Sequence, residues 1–313
     1  MKKLAGALGA AVLAAGLAVA AQAADKPRIV VVTHGPNASA FWSVAKNGVT
    51  QAATDLAGVA TVEYRNPDTF DMVAMKQIID ATVASKPDGL VVSVPDADAL
   101  GPSIKAAVAA GIPVITMNSG SDVSKKLGAL IHVGQSEFEA GVGAGEMMKS
   151  LGVQHPVCVN HEVGNVALDL RCDGFSKGIG VKAGIIPVTP DPTEERNTVG
   201  AYLSSHPDVD GILVLGQDAA MPTWAAVDQA DRVGKTKVAT FDISTPVLES
   251  IRDGKMVFAI DQQQYMQGYL PVVLLLNYIR YGVMPGANVL TGPGFVTKDN
   301  AAKVIAWAKA GYR

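Results

Sequence analysis

The chain has 313 residues, with 26 Lys and Arg against 29 Asp and Glu and a formal net charge of −3 at pH 7. This length is enough for two domains with cores of their own. The mild acidity argues against nucleic acid and anionic membranes as partners, because both attract basic proteins.

The first residues carry an export signal. MKK precedes an apolar, alanine-rich run over residues 4–20, and AQA at 21–23 follows as an A-x-A cleavage signal. This pattern predicts a secretory signal peptide over residues 1–23, cleaved after Ala23, and not a membrane span. No cysteine lies near the cleavage position. We therefore expect a soluble bacterial protein exported to the periplasm without a lipid anchor.

From Arg28 onward, short Val- and Ile-rich runs alternate with longer amphipathic segments, a pattern typical of repeated βαβ units. The short runs are RIVVVTH, VATVEY, GLVVSVPD, PVITMN, ALIHVG, PVCVNHE, GIIPVTP, GILVLGQD, KVATFD and MVFAIDQ. Between PVITMN and ALIHVG stands SGSDVSKKLG, which is too short for a crossover helix, so we expect a domain boundary near residue 130. The second half repeats the first. The sequence thus predicts two open parallel sheets whose facing edges form a cleft.

Polar side chains follow most of these runs, at the strand ends where open α/β sheets bind their ligands. They are His34, Asp96, Asn118, His161, Glu162, Gln217, Asp218, Asp242 and Gln262. Taken singly, each could be a helix cap or a turn former. Together, amides interleaved with carboxylates indicate the lining of a site for an uncharged, hydroxyl-rich molecule. A phosphate or carboxylate ligand would require several Arg or Lys, which these strand ends lack.

Three side chains on predicted helices add to this lining. Phe41 and Trp42 are adjacent on the first helix and point about 100° apart, so at least one should face the cleft or solvent. A cleft aromatic suits the C–H face of a sugar ring; the alternative is one ring in the core and the other on the surface. Arg171 lies early in a helix that starts at Asn165 and has no carboxylate at helical pairing distance. It therefore needs a tertiary partner or a ligand.

Catalytic and metal motifs are missing from the sequence. HEVGN at 161–165 lacks the second histidine of a zinc-binding HExxH, and there is neither a GxSxG elbow nor a phosphate loop. We predict no enzyme activity, no metal and no cofactor. GVGAG at 141–145 indicates tight helix packing. Cys158 and Cys172 are the only cysteines; export makes a disulfide possible, and the alternative is two small buried apolar residues.

With these features in place, the mature chain resembles the periplasmic sugar-binding proteins of the ribose-receptor type over essentially its whole length. The most specific matching segments are THGPNASAFWSVAKNG, IPVITMNSG, HVGQSEFEAG, the RCDGF element, VATFD and AIDQQQYMQGY. The resemblance implies a type I periplasmic binding protein, with two Rossmann-like α/β domains whose parallel sheets are joined by a three-segment hinge. Residues 24–131 with 263–291 would form one lobe, and residues 132–262 with 292–313 the other. It also implies a monomer that delivers a monosaccharide or related polyol to the membrane permease of an ABC importer.

The resemblance assigns sugar contacts to residues that match the motifs of the family. These are Phe41, Trp42, Asn118, Arg171, Gln217, Asp242 and Gln262, to which we add His34, Asn37, Asn165 and Asp218. Ribose receptors carry Asp-Arg where this chain has Asn118-Ser119, and a further aromatic where it has TPDPTEE, so ribose itself is not the expected ligand. Two other functions remain open on the same fold: a chemoreceptor or quorum-signal receptor, and a secreted enzyme acting on a sugar. A sugar-responsive repressor core would need a helix-turn-helix where the signal peptide stands.

Overall fold

The computed structural model describes residues 26–313. The predicted signal peptide and its cleavage position lie outside the described residues. The strands are β1 (Arg28–Val32), β2 (Thr61–Arg65), β3 (Gly89–Ser93), β4 (Val114–Asn118), β5 (His132–Gly134), β6 (Pro156–Asn160), β7 (Gly184–Pro187), β8 (Gly211–Val214), β9 (Lys237–Phe241), β10 (Phe258–Asp261), β11 (Val289–Leu290) and β12 (Gly294–Thr297).

The longer segments between the strands form helices, as their amphipathic spacing predicts. They are α1 (Ala40–Asp55), α2 (Met72–Ala84), α3 (Ala97–Ala109), α4 (Glu137–Ser150), α5 (Val166–Ile179), α6 (Pro192–Ser205), α7 (Ala220–Gln229), α8 (Thr245–Arg252), α9 (Gln264–Tyr281) and α10 (Ala301–Lys309). Within residues 26–313, no helix combines the length and apolar character that a membrane crossing requires.

The strands form two sheets of the same design, which confirms the predicted α/β class. The first sheet has the order β11-β5-β4-β3-β1-β2 and the second the order β12-β10-β9-β8-β6-β7. Neighbouring strands are parallel, except that β12 runs antiparallel to β10. Helices cover both faces of each sheet, so the strands are apolar on both sides. In β1, for example, Ile29 and Val31 join one core cluster while Val30 and Val32 join another.

The first passage between the sheets lies later than the sequence analysis placed it. Strand β5 pairs in parallel with β4 in the first sheet. The connection between them contains one 3₁₀ turn, Lys125–Leu127, and no α-helix, yet it is long enough to return the chain to the same end of the sheet. The chain therefore leaves the first sheet after Gly134, and not near residue 131. The other two passages follow β10 and β11.

Glycines bring the backbones of α4 and α5 into contact. A Cβ at Gly141 would overlap the carbonyl oxygen of Arg171, and a Cβ at Gly174 would overlap that of Phe138. The two helices therefore pack backbone against backbone at these positions. The run GVGAG is therefore a helix-packing motif, as predicted.

Candidate functional site

The carboxyl ends of both sheets border a shared cleft of about 390 Å³, open solvent at its mouth included. The lining is mostly polar and comes from the two halves and from the segment that joins them. It consists of His34, Ser39, Phe41, Trp42, Asn118, Ser119, His161, Glu162, Asn165, Leu168, Arg171, Gly216, Gln217, Asp218, Asp242 and Gln262. Every residue to which a sugar contact was assigned is in this set, except Asn37. Of the other strand-end residues, His161 and Glu162 also line the cleft, whereas Asp96 does not and instead caps α3 by accepting from the backbone N–H of Asp98 at 2.9 Å.

Asn37 lies outside the cleft. Its side chain is exposed and accepts a hydrogen bond from Nζ of Lys46 at 3.1 Å. The loop that precedes α1 turns this residue toward the outer surface of the helix, which the sequence of the loop does not reveal. Asn37 therefore has no place in the candidate site.

Both aromatic residues at the start of α1 line the cleft, and neither is on the surface. Phe41 and Trp42 are each 5% exposed, and their ring centroids lie 5.0 Å apart at an interplanar angle of 77°. His34 packs edge-on against Trp42, with centroids 4.7 Å apart. Gly35 lies so close to the indole that a Cβ there would overlap it. The tryptophan ring is therefore fixed in place before any ligand arrives.

Arg171 has a tertiary partner that the sequence analysis did not identify. Its Nε donates to Oε2 of Glu137 at 2.6 Å, and its Nη1 donates to the carbonyl oxygen of Leu215 at 2.7 Å. Asp242 lies 3.8 Å from Nη1, and the guanidinium carbon lies 4.4 Å from the ring centre of Phe241. Within residues 26–313, Nη2 has no protein acceptor. The guanidinium is thus held rigidly with one nitrogen left to donate into the cleft.

A chain of amides and a carboxylate crosses the cleft beside the connecting segment. Gln262 donates from Nε2 to Oδ1 of Asp242 at 2.5 Å, and its Oε1 accepts from Asn118 at 3.4 Å. Gln267 joins this chain, since its Oε1 accepts from Asn118 at 3.1 Å and its Nε2 donates to Gln262 at 3.0 Å. Gln267 was missed although it stands in the YMQGY segment, four residues beyond Gln263 and so one helical turn away. These residues link the two halves at the base of the cleft.

Burial acts on the pKa values of two charged residues in the lining, Asp242 and Arg171. Burial raises the pKa of Asp242 to about 7, although Arg171 and the hydrogen bond from Gln262 act to lower it. Burial also opposes the charge of Arg171, but Glu137 and Asp242 together hold the pKa of the guanidinium above its usual value. The site therefore combines one permanent cation with acceptor groups that are poorly solvated, which favours a ligand rich in hydrogen-bond donors.

His34 is neutral, because burial lowers its pKa to about 4. Its Nδ1 lies 2.8 Å from Oγ of Ser93, and its Nε2 lies 3.9 Å from a carboxylate oxygen of Glu162. Nδ1 is therefore engaged by Ser93, whereas Nε2 makes no hydrogen bond to Glu162 at this distance. His34 thus leaves one ring nitrogen for a ligand in the cleft.

Two cross-cleft contacts hold the halves close together. The backbone N–H of Val166 donates to the carbonyl oxygen of Pro95 at 3.0 Å. The side-chain oxygen of Gln217 accepts from the backbone N–H of Phe41 at 2.6 Å when the amide is oriented with its nitrogen toward the carbonyl of Ile243. These contacts join segments from opposite sheets, so the structure represents a closed form.

An N-cap and a disulfide fix helix α5 in the second half of the protein. Asn165 caps the helix by accepting from the backbone N–H of Ala167 at 3.0 Å. Cys172 forms a disulfide with Cys158 of β6, and both residues are buried. The helix that carries Arg171 is therefore fixed to the sheet by a covalent bond one residue away from the guanidinium.

The arrangement suits reversible binding through hydrogen bonds and aromatic stacking. Among residues 26–313, no group of His, Cys, Asp and Glu side chains is placed to hold a metal ion. Polar groups surround the cleft on the side of the strand ends, and the rings of Phe41 and Trp42 supply an apolar wall. A ring-shaped molecule with hydroxyl groups at its edge and C–H bonds on its face matches both surfaces.

Comparison with known proteins gives consistent results. A family model described as periplasmic binding protein domain matches residues 29–282. A carbohydrate transporter of Acidothermus cellulolyticus, solved in complex with myo-inositol, is 37% identical, with 92% of this chain and 100% of that chain covered and a TM-score of 0.87. A solute-binding protein of Burkholderia graminis, solved with D-arabinose, is 26% identical, with 88% and 96% covered and a TM-score of 0.76. The D-ribose/D-allose-binding protein of Pseudomonas aeruginosa is 28% identical, covering 78% of this chain and 80% of its own.

Proposed function

The chain belongs to the periplasmic binding protein domain family, and from this premise we propose that it captures a monosaccharide or related polyol in its cleft and delivers it to an ABC importer. The protein would act in the periplasm as a monomer, after removal of residues 1–23. Its role is binding without a chemical step. The permease of the importer is its macromolecular partner.

The lining of the cleft is the observation that carries this proposal. One guanidinium, three carboxyl groups and several amides stand around two buried aromatic rings, a combination suited to hydroxyl groups and to the C–H face of a ring. Relatives of the chain were solved with myo-inositol and with D-arabinose. Both molecules are compact, uncharged polyols. Arg171 is the only Lys or Arg among the described residues that line the cleft. One such group is too few for a phosphorylated ligand, which supports an uncharged sugar or polyol.

Binding would work through closure of the two lobes. The lobes would be those expected from the sequence with the first boundary moved past β5, namely residues 24–134 with 263–291 and residues 135–262 with 292–313. Phe41, Trp42 and Asn118 act from the first lobe, and Arg171, Gln217 and Asp242 from the second. The closed form makes both sets of contacts at once, so a bound sugar shifts the equilibrium toward closure. A permease that recognises the closed form would then receive loaded protein.

A thermal-shift screen of pentoses, hexoses, cyclitols and alditols tests the proposal. A ligand present at 100 times its dissociation constant adds about 2.7 kcal/mol to the free energy of unfolding. Calorimetry on Arg171→Ala and Asp242→Ala should show affinity losses on the order of 2 to 5 kcal/mol, as expected for buried hydrogen-bonded charges. Lys76→Ala, on the exposed face of α2, is the control and should bind as the wild type does. Stabilisation by amino acids or peptides, and by no carbohydrate, would overturn the proposed ligand class.

A further inference from the structure

A second cavity continues outward from the cleft between the two lobes. It encloses about 810 Å³, open solvent at its mouth included. It shares Ser39, His161, Glu162 and Asp218 with the lining of the cleft. We call this cavity the antechamber and define it by Pro36, Ala38 and Phe70 of the first lobe and by Glu162, Glu195 and Asp218 of the second. Because the two spaces share these lining residues, they are neighbours, and a short extension on a ligand in the cleft would lie close to the antechamber.

The second-lobe wall of the antechamber is acidic. It presents three carboxylates, from Glu162, Glu195 and Asp218, and no Lys or Arg is among the described residues that line it. Oε2 of Glu162 accepts from Nδ2 of Asn165 at 2.7 Å, while within residues 26–313 its Oε1 and both oxygens of Asp218 have no donor. The wall therefore has an excess of acceptors that the protein does not use.

Glu195 is the most unusual of the three carboxylates. It is 2% exposed, and its Oε1 accepts from Thr223 at 3.1 Å. Its Oε2 has no donor in the described part of the chain, although the residue lines the cavity. Burial raises the pKa of Glu195 to about 8, and Asp218 adds to this effect. The ionised form of a buried carboxyl group is costly without a cationic partner, so Glu195 holds its proton near neutral pH until a cationic ligand favours the carboxylate.

The first-lobe wall is mostly apolar. Pro36, Ala38 and Phe70 line the cavity from this lobe together with Ser39 and Thr69. An alkyl spacer packs against such a surface, and the face of an aromatic ring also attracts a cation. The antechamber thus combines an apolar side for a short chain with an acceptor-rich side for its end group.

We propose that the antechamber is a second binding subsite, which takes an ammonium group carried on a short extension of the sugar or polyol held in the cleft. The ligand class is then an amine-bearing glycoside or polyol ether. An ammonium group supplies three donors and no acceptor, which matches the unused oxygens of Glu162, Glu195 and Asp218. This inference rests on the proposed function, since the cleft must hold the parent ring.

Matched pairs of ligands test the subsite by calorimetry on the mature protein. The probes are D-ribose, D-xylose, D-allose and myo-inositol, each with a 2-aminoethyl or a 2-hydroxyethyl group attached at each hydroxyl in turn. We expect one aminoethyl compound to bind about tenfold more tightly than its hydroxyethyl counterpart, because a charge-assisted hydrogen bond replaces a neutral one.

Two variants remove this preference without touching the cleft. Glu195→Gln keeps the shape of the side chain and its acceptor toward Thr223, but it cannot ionise to pair with an ammonium group. Thr189→Lys, at an exposed position on the rim of the antechamber, places a cation of the protein near the same carboxylates and leaves the core unchanged. Each should abolish most of the tenfold preference while the affinity for the unsubstituted ring stays the same. Glu249→Gln, on the surface of α8 in the same lobe, is the matched control and should keep the preference.

The outcomes separate this inference from the proposed function. If an unsubstituted ring binds but no aminoethyl compound binds more tightly than its hydroxyethyl partner, the subsite is refuted and the proposed function stands. A preference that survives in both Glu195→Gln and Thr189→Lys also refutes it. If no unsubstituted sugar or polyol of the wider screen binds, the proposed function fails and the subsite fails with it.

Discussion

Arg171 and Glu137 form a buried ion pair between α5 and α4, in which the Nε–Oε2 distance is 2.6 Å and the side chains are 5% and 3% exposed. The second carboxylate oxygen of Glu137 is buried without a partner within the described residues. The pair is therefore a compromise between stability and function. It orients the guanidinium toward the cleft, although an apolar pair would fill the same space at lower desolvation cost.

Replacing one member of this pair should destabilise the protein more than replacing both. Glu137→Leu leaves the guanidinium of Arg171 without its nearest counter-charge, and we expect a loss of about 3–5 kcal/mol in the free energy of unfolding. The double variant Glu137→Leu/Arg171→Met should recover much of this loss but should bind no sugar. Urea unfolding and calorimetry on both variants measure the two effects. A single variant as stable as the wild type would contradict the role of the pair.

The close approach of α4 and α5 should be sensitive to a single methyl group. Gly174→Ala places a Cβ against the carbonyl oxygen of Phe138, and backbone cannot move aside as a flexible side chain can. We expect a loss of about 1–3 kcal/mol in the free energy of unfolding. The overlap would push the two helices apart and so separate Arg171 from Glu137. Sugar affinity should therefore fall together with stability. Thermal unfolding and calorimetry check the two expectations.

Gly200→Ala is the control for this prediction. Gly200 also lies within a helix, α6, but the space around its Cβ position is open. Alanine there should stabilise the protein by up to about 1 kcal/mol, because alanine favours a helix more than glycine does. Equal destabilisation by both substitutions would show that helix packing is not the cause.

The sequence predicted the strand ends well because their pattern is local. The run MVFAI and the glutamine after it gave the position of β10 and of Gln262 directly, since strand, turn and helix follow each other along the chain. The partner of Arg171 could not be found in this way. Glu137 lies 34 residues away, and only the packing of two helices brings the pair together. The outward direction of the Asn37 side chain could not be predicted for the same reason, since it depends on how the whole loop folds onto α1.

Loss of the disulfide should reduce stability while leaving affinity nearly unchanged. Cys158 and Cys172 are 14 residues apart in sequence, and a loop of this size is worth about 3 kcal/mol when it is closed. The double variant Cys158→Ala/Cys172→Ala should lose about that amount in urea unfolding. The packing of α4 against α5 still positions Arg171 when the disulfide is absent. Sugar affinity at 25 °C should therefore stay within about threefold of the wild-type value. A reductant should destabilise the wild type and have no effect on the variant.

The stability of the protein should fall as the pH drops below 6.5. Burial lowers the pKa of His34, His132 and His161 to about 4 from a usual value of 6.5. Between these two values the unfolded chain binds protons that the folded chain does not. The free energy of unfolding therefore decreases on acidification from pH 6.5 to pH 4, on the order of 3 kcal/mol for each histidine, and these residues cause no further loss below pH 4.

Two carboxyl groups should act in the opposite direction between about pH 4 and pH 8, so they offset part of the histidine effect below pH 6.5 and dominate above it. Burial raises the pKa of Asp242 to about 7 and that of Glu195 to about 8, so the folded chain holds protons that the unfolded chain has already released. Their contribution is complete below pH 4 and is lost as the pH rises through 7 and 8. The melting temperature should therefore peak between pH 6 and 7, as measured by thermal unfolding from pH 4 to 9.

Glu195→Gln should flatten the alkaline side of this pH profile and His132→Asn the acidic side, because each substitution removes one of the responsible groups. A melting temperature that rises steadily from pH 6 to pH 9 would show that these carboxyl groups are already ionised in the folded protein.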